Sequence, residues 1–296
     1  MTVNPVWQTV LFGCCAVLAV VFYTSAAPGL VTQLLLLAPL VAILGLPHGA
    51  LDLPIAEALW PLHGWRGKLR FMAIYLGLAA GVILVWILVP GVALAAFLAC
   101  SVLHFSDDWS QSALPLRWTG GVATIGAPAL LHPEDVATHF AYLAPPSVAV
   151  VIANVAAIAG ALGLCVYIAT CILRPEARCR AATEQAILWG HAALLPPLMF
   201  FIVYFCSLHS IRHFSTTILF VPHAGRALVI AALLSGIVIL TATFYLQTLL
   251  DGSSDALVRN LSQTVFIGLA ALTVLHMILV ERLSKLTTGL NLRDQP

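Results

Sequence analysis

Apolar runs at 6–25, 30–47, 69–89, 91–105, 147–173, 198–214, 227–249 and 261–281 leave this chain few ways to fold. A bilayer core takes about 20 apolar residues of helix, because every backbone polar group must be bonded inside the segment. Two shorter runs, 118–131 and 184–195, fall below that length. Only 8% of residues are charged and 61% are hydrophobic, whereas a soluble domain carries roughly a quarter charged residues. The expected fold is all-α, a polytopic transmembrane helix bundle with about 8–10 spans.

No gap between runs is long and mixed enough for a separate module, so residues 1–296 read as a single integral membrane domain. The first run lacks a basic n-region and a clear cleavage site and is expected to stay as a span. A net charge of +1 gives no electrostatic reason to expect nucleic acid. The seven cysteines sit mostly inside apolar runs without a C-x-x-C pair, and read as small hydrophobes.

Orientation follows from lysine and arginine, which concentrate in cytoplasmic loops. With a cytoplasmic N-terminus and both short runs crossing, the basic residues at 66, 68, 70, 117, 174, 178, 180, 212, 226, 282, 285 and 293 fall inside, and only Arg259 falls outside. Ten crossings fit the charges best, and eight result if both short runs are re-entrant or interfacial. The chain is thus expected to be multi-pass in the cytoplasmic (inner) membrane. Small residues four apart, such as Ala153, Ala157 and Ala161, let membrane helices approach closely. Pro196-Pro197 should break the stretch 184–214 in two.

In this threading four histidines arrive at the cytoplasmic level. His48 ends the second run in "GLPHGALD", His104 ends the fourth in "LHFSDDW", and His209 and His213 end a later one in "LHSIRHF". His48 precedes Asp52 by four residues, and His104 precedes Asp108 by four. That is one helical turn, so each aspartate can take the second ring N–H of a metal-bound imidazole. His191 and His276 lie within apolar runs and read as buried core or supporting groups. His63, His132, His139 and His223 read as surface residues, and Arg212 either balances Asp108 or, as expected here, snorkels to the interface. Neutral nitrogen donors suit zinc, copper, iron or nickel rather than magnesium or calcium. Four imidazoles without an obligatory carboxylate would leave a ferrous ion with open positions, a set suited to dioxygen.

These three motifs, in this order and at these separations, resemble the Brp/Blh family of membrane-bound β-carotene 15,15′-dioxygenases over residues 40 to 220. The resemblance implies that His48, His104, His209 and His213 hold a non-haem Fe(2+). It implies that the enzyme uses O2 to split the central double bond of β-carotene into two molecules of retinal. Ser106 departs from the glycine expected after His-Phe. The carotenoid would enter laterally from the bilayer, past candidate Phe, Trp, Leu and Met side chains, and a retinal-accepting rhodopsin fits as partner. The main rival is a transporter or proton carrier built on intramembrane His and Asp, which would string titratable groups through the bilayer depth. A haem protein needs facing axial histidine pairs, and a di-iron desaturase needs more histidine boxes than one H-x-x-x-H.

Overall fold

The computed structural model describes residues 5–41, 43, 52–60, 62, 64–217, 225, 229 and 254–293. Its principal helices are α1 (Val6–Ala26), α2 (Leu30–Leu40), α3 (Asp52–Leu59), α4 (Gly64–Leu88), α5 (Pro90–Ser106) and α6 (Leu114–Leu131). After them come α7 (Pro133–Ala141), α8 (Pro146–Leu173), α9 (Arg180–Leu194), α10 (Pro197–Tyr204), α11 (Ser210–Thr217) and α12 (Ser254–Arg293). No strand occurs among the described residues, in agreement with the all-α expectation. Among them, six segments are long and apolar enough to cross a membrane: Val6–Ala26, Gly64–Leu88, Pro90–Trp109, Pro146–Leu173, Pro197–Ser215 and Asp255–Leu279.

Local chemistry sets the breaks. Pro90, Pro133, Pro146 and Pro197 each start a helix at the position where a missing N–H costs no bond. Pro196-Pro197 separates α9 from α10 as the sequence indicated. Large apolar side chains point outward along the spans, with Ile87 73% and Leu173 78% exposed. Such faces suit lipid, and the chain is a multi-pass membrane protein. All seven cysteines are free thiols. The run at 227–249 lies almost wholly outside the described residues.

The short run 118–131 became α6, whose buried face packs against α5, α8 and α9. Glycine makes this possible. A Cβ on Gly126 or Gly160 would strike the other residue's backbone, and one on Gly121 would strike the Val102 carbonyl. Hydrophobic driving force between helices is absent in lipid, so this close backbone packing has to supply the association. Ala153 and Ala157 join the same interface beside Ala129 and Val136, so the expected small-residue row meets α6 and α7. Gly160→Leu is expected to separate α6 from α8 at a cost of about 3 kcal/mol or more. Thermal unfolding of the detergent-solubilised protein would register the loss.

Candidate active site

α5 ends in Leu103-His104-Phe105-Ser106, and a 3-10 turn over Asp107–Trp109 follows. The turn takes Asp108 out of α-helical register with His104. Its carboxylate instead meets His209, whose Nδ1 lies 3.1 Å from Oδ2 and 3.3 Å from Oδ1. The Tyr204 hydroxyl donates to Oδ2 at 2.6 Å. A second unit has the same composition. Asp52, at the start of α3, takes His276 Nδ1 on Oδ1 at 2.6 Å and the Tyr75 hydroxyl on Oδ2 at 3.1 Å. Asp108 is thus paired with His209 of a distant helix instead of with His104 one turn before it, whereas the expected His48–Asp52 pairing falls outside the described residues. His48 itself lies outside the described residues.

Between α10 and α11 the helix widens into one π turn, Phe205–His209, a feature frequent at functional sites. It sets His209 beside His104, ring centroids 4.8 Å apart. His213 follows one turn on, and its centroid is 6.0 Å from that of His104. His276 reaches in from α12, 5.9 Å from His104 and 4.6 Å from His213. Four imidazoles therefore meet. His104, His209 and His213 were singled out from sequence; His276 was left open. Its only signal was a lone imidazole deep in an apolar run, costly there unless partnered.

The donor set can be tested for fit to a metal. A histidine that gives Nδ1–H to a carboxylate carries its lone pair on Nε2, the arrangement common among metal-ligating histidines. His209 and His276 both meet this condition. His213 Nε2 and His276 Nε2 are 2.9 Å apart. Two nitrogens bonded at ~2.1 Å and at right angles to one ion would stand about 3.0 Å apart. The chemistry and the pair spacing fit, although no three donors among the described residues converge on one point.

Beneath the cluster lies a buried charge network. Arg212 is 4% exposed and does not snorkel as expected from sequence. Its Nη1 donates to the Asp108 carbonyl at 2.6 Å, its Nη2 to Glu184 Oε1 at 2.7 Å, and its Nε to Gln8 Oε1 at 3.4 Å. Glu184 also accepts from Thr9 at 2.5 Å and from Trp109 Nε1 at 2.9 Å. Sequence reasoning missed Glu184, Trp109 and Gln8, since an acid in a short helix reads as a surface charge. His191 belongs to the core instead, with Nδ1 on the Ile187 carbonyl at 2.7 Å and its ring between Phe12 and Phe200. His132 and His139 are half-buried rather than on the surface, while His63 and His223 lie outside the described residues.

An apolar cavity of about 530 Å³ opens onto the cluster and includes His104, His209 and His276 in its wall. Its lining is rich in Phe and Leu, with neither Trp nor Met among the described residues that bound it. Leu94 and His104, ten residues apart on α5, both line the cavity, which therefore runs about 15 Å along that helix, and along α12 its wall reaches from His276 to Leu261, about 22 Å. At the far end Phe140 and Leu143 pack on Leu94, with His139 beside them. Burial holds the His139 imidazole below its usual pKa, with nearby Asp135 pulling the other way. A neutral ring suits such a wall.

A family model described as β-carotene 15,15′-dioxygenase matches residues 39–284. A protein of an uncultured marine bacterium (66A03), named β-carotene 15,15′-dioxygenase, is 33% identical over 260 residues, covering 82% of this chain and 90% of its own length. No solved structure matches.

Proposed function

The chain belongs to the β-carotene 15,15′-dioxygenase family, and from that premise we propose that it splits the central double bond of β-carotene with O2 to give two molecules of retinal. The observation that carries this reading is the apolar cavity whose wall holds three of the clustered imidazoles. Its volume lies within the roughly 300–1,000 Å³ of small-molecule sites. A hydrocarbon offers no polar handle, so affinity comes from contact with Phe97, Phe201, Phe266 and neighbouring leucines, while the same wall excludes water.

A ferrous ion would be held by His213 and His276, the pair whose spacing fits, with His104 and His209 as the adjoining donors and His48 as a further one from its sequence motif. Such an ion supplies activation of dioxygen. Asp108 and Asp52 keep the Nδ1 protons of His209 and His276 in place and set their ring orientation. Tyr204 and Tyr75 satisfy the remaining carboxylate oxygens. One C=C bond and one O2 become two C=O bonds, so no net proton enters or leaves. The cavity accordingly needs no general acid or base.

The transporter reading loses its support, because Asp52, Asp108, Arg212 and the four histidines gather in one cluster instead of forming a relay. From the distribution of lysine and arginine we place the protein in the cytoplasmic membrane, with its N-terminus and the cluster on the cytoplasmic side. Retinal is itself lipophilic, and a rhodopsin is a fitting acceptor. The test is colour: in a host that accumulates β-carotene, expression should bleach the orange pigment while retinal appears. Undiminished pigment beside folded, iron-loaded protein would refute the proposal.

A further inference from the structure

α7 is only nine residues long, and a helix of that length is marginal alone. It presents Glu134 and Asp135 outward and turns Val136 and Phe140 to the cavity. Three other helices tie it down. His132 Nε2, at its start, lies 2.8 Å from the Ala192 carbonyl of α9. At its end Trp86 of α4 donates to the Leu143 carbonyl and Gln263 of α12 to the Tyr142 carbonyl, each at 2.9 Å. These bonds touch no part of the histidine cluster, and they fix a short helix across the far end of the cavity.

The distances give that helix a task. Along α5 the cavity extends about 15 Å from the cluster to Leu94, where the Phe140–Leu143 turn stands across it. Conjugated bonds of roughly 1.33–1.45 Å make half of an all-trans β-carotene, one ring and its share of the chain, about 15 Å long. We infer that α7 and the turn after it are an end stop, which sets how far the polyene enters and so which double bond stands at the cluster. Phe140 and Leu143 meet the inserted ring and determine specificity. Trp86, Gln263 and His132 are positioning residues that hold the stop. The inference rests on the carotenoid-cleavage reading. Whichever bond is chosen, one oxygen atom goes to each carbon of the broken C=C, and the two fragments together hold every carbon of the substrate.

The experiment reads fragment lengths. Membranes carrying wild type, Phe140→Ala, Trp86→Phe or Gln263→Leu are supplied with β-carotene, and the carbonyl products are separated and weighed by mass spectrometry. Wild type is expected to give equal halves. Because one methylene discriminates about 10–200-fold, removing the Phe140 ring should raise the ratio of unequal to equal fragments about tenfold or more. Trp86→Phe and Gln263→Leu should raise it less, in the same sense. A fragment ratio is independent of how much protein folds, and Leu94→Phe, which fills the end instead, should also give unequal pairs or no product. Equal halves from every variant would overturn the end stop while leaving the cleavage reading intact. No carbonyl product from folded wild type would overturn both.

Discussion

His276→Ala is expected to lose both metal and cleavage activity, as completely as His104→Ala or His213→Ala. Each imidazole removed takes a donor from the cluster, and His276 is also the imidazole that meets Asp52, at 2.6 Å. Without it the buried carboxylate keeps, among the described residues, the Tyr75 hydroxyl, so a loss of stability of about 1–3 kcal/mol should accompany the loss of metal. His191→Ala is the matched control: that ring packs between Phe12 and Phe200, so its removal should lower stability and leave metal content unchanged. Elemental analysis of purified variants decides the matter. Full iron occupancy in His276→Ala would remove that residue from the ligand set.

The second large effect belongs to Glu184. Replacing it with leucine strands the Arg212 guanidinium in a dry site, where breaking one partner of a buried pair costs about 3–5 kcal/mol. In thermal unfolding this amounts to a fall in Tm of roughly 10 °C. Replacing both residues, as in Glu184→Leu with Arg212→Met, should restore much of that stability, since apolar substitution of a whole buried pair is often neutral. It should not restore the site. Arg212 holds the Asp108 carbonyl, and Asp108 orients His209, so metal affinity is expected to stay about 10–100-fold down. A double variant that regained stability and affinity together would show that the network has no part in orienting His209.

Much of this was legible in the order of residues. Apolar run lengths gave the helices, the proline pair gave the break before α10, and the three histidine motifs pointed to His104, His209 and His213. The partners were not legible, and the reason is geometric. A four-residue spacing predicts a shared face only while α-helix continues, and here a 3-10 turn follows His104 while a π turn precedes Ser210. Register shifts of that kind leave no mark in composition. Arg212 misled for a related reason: at a run's end a basic residue ordinarily reaches water, and only the fold brings Glu184 within 2.7 Å. Glu184, in turn, is separated from Thr9 by 175 positions and shares no motif with it.

Those separations bear on how the protein is made. Asp52 and His276 stand 224 positions apart, so the first must enter the bilayer long before the ribosome has produced the second. A nascent chain cut short anywhere before α12 holds a carboxylate without its imidazole and an end plate without Gln263. Helix α12 therefore completes both the Asp52 pairing and the end stop, and products truncated before it are expected to be degraded as unassembled even when every earlier described span has inserted.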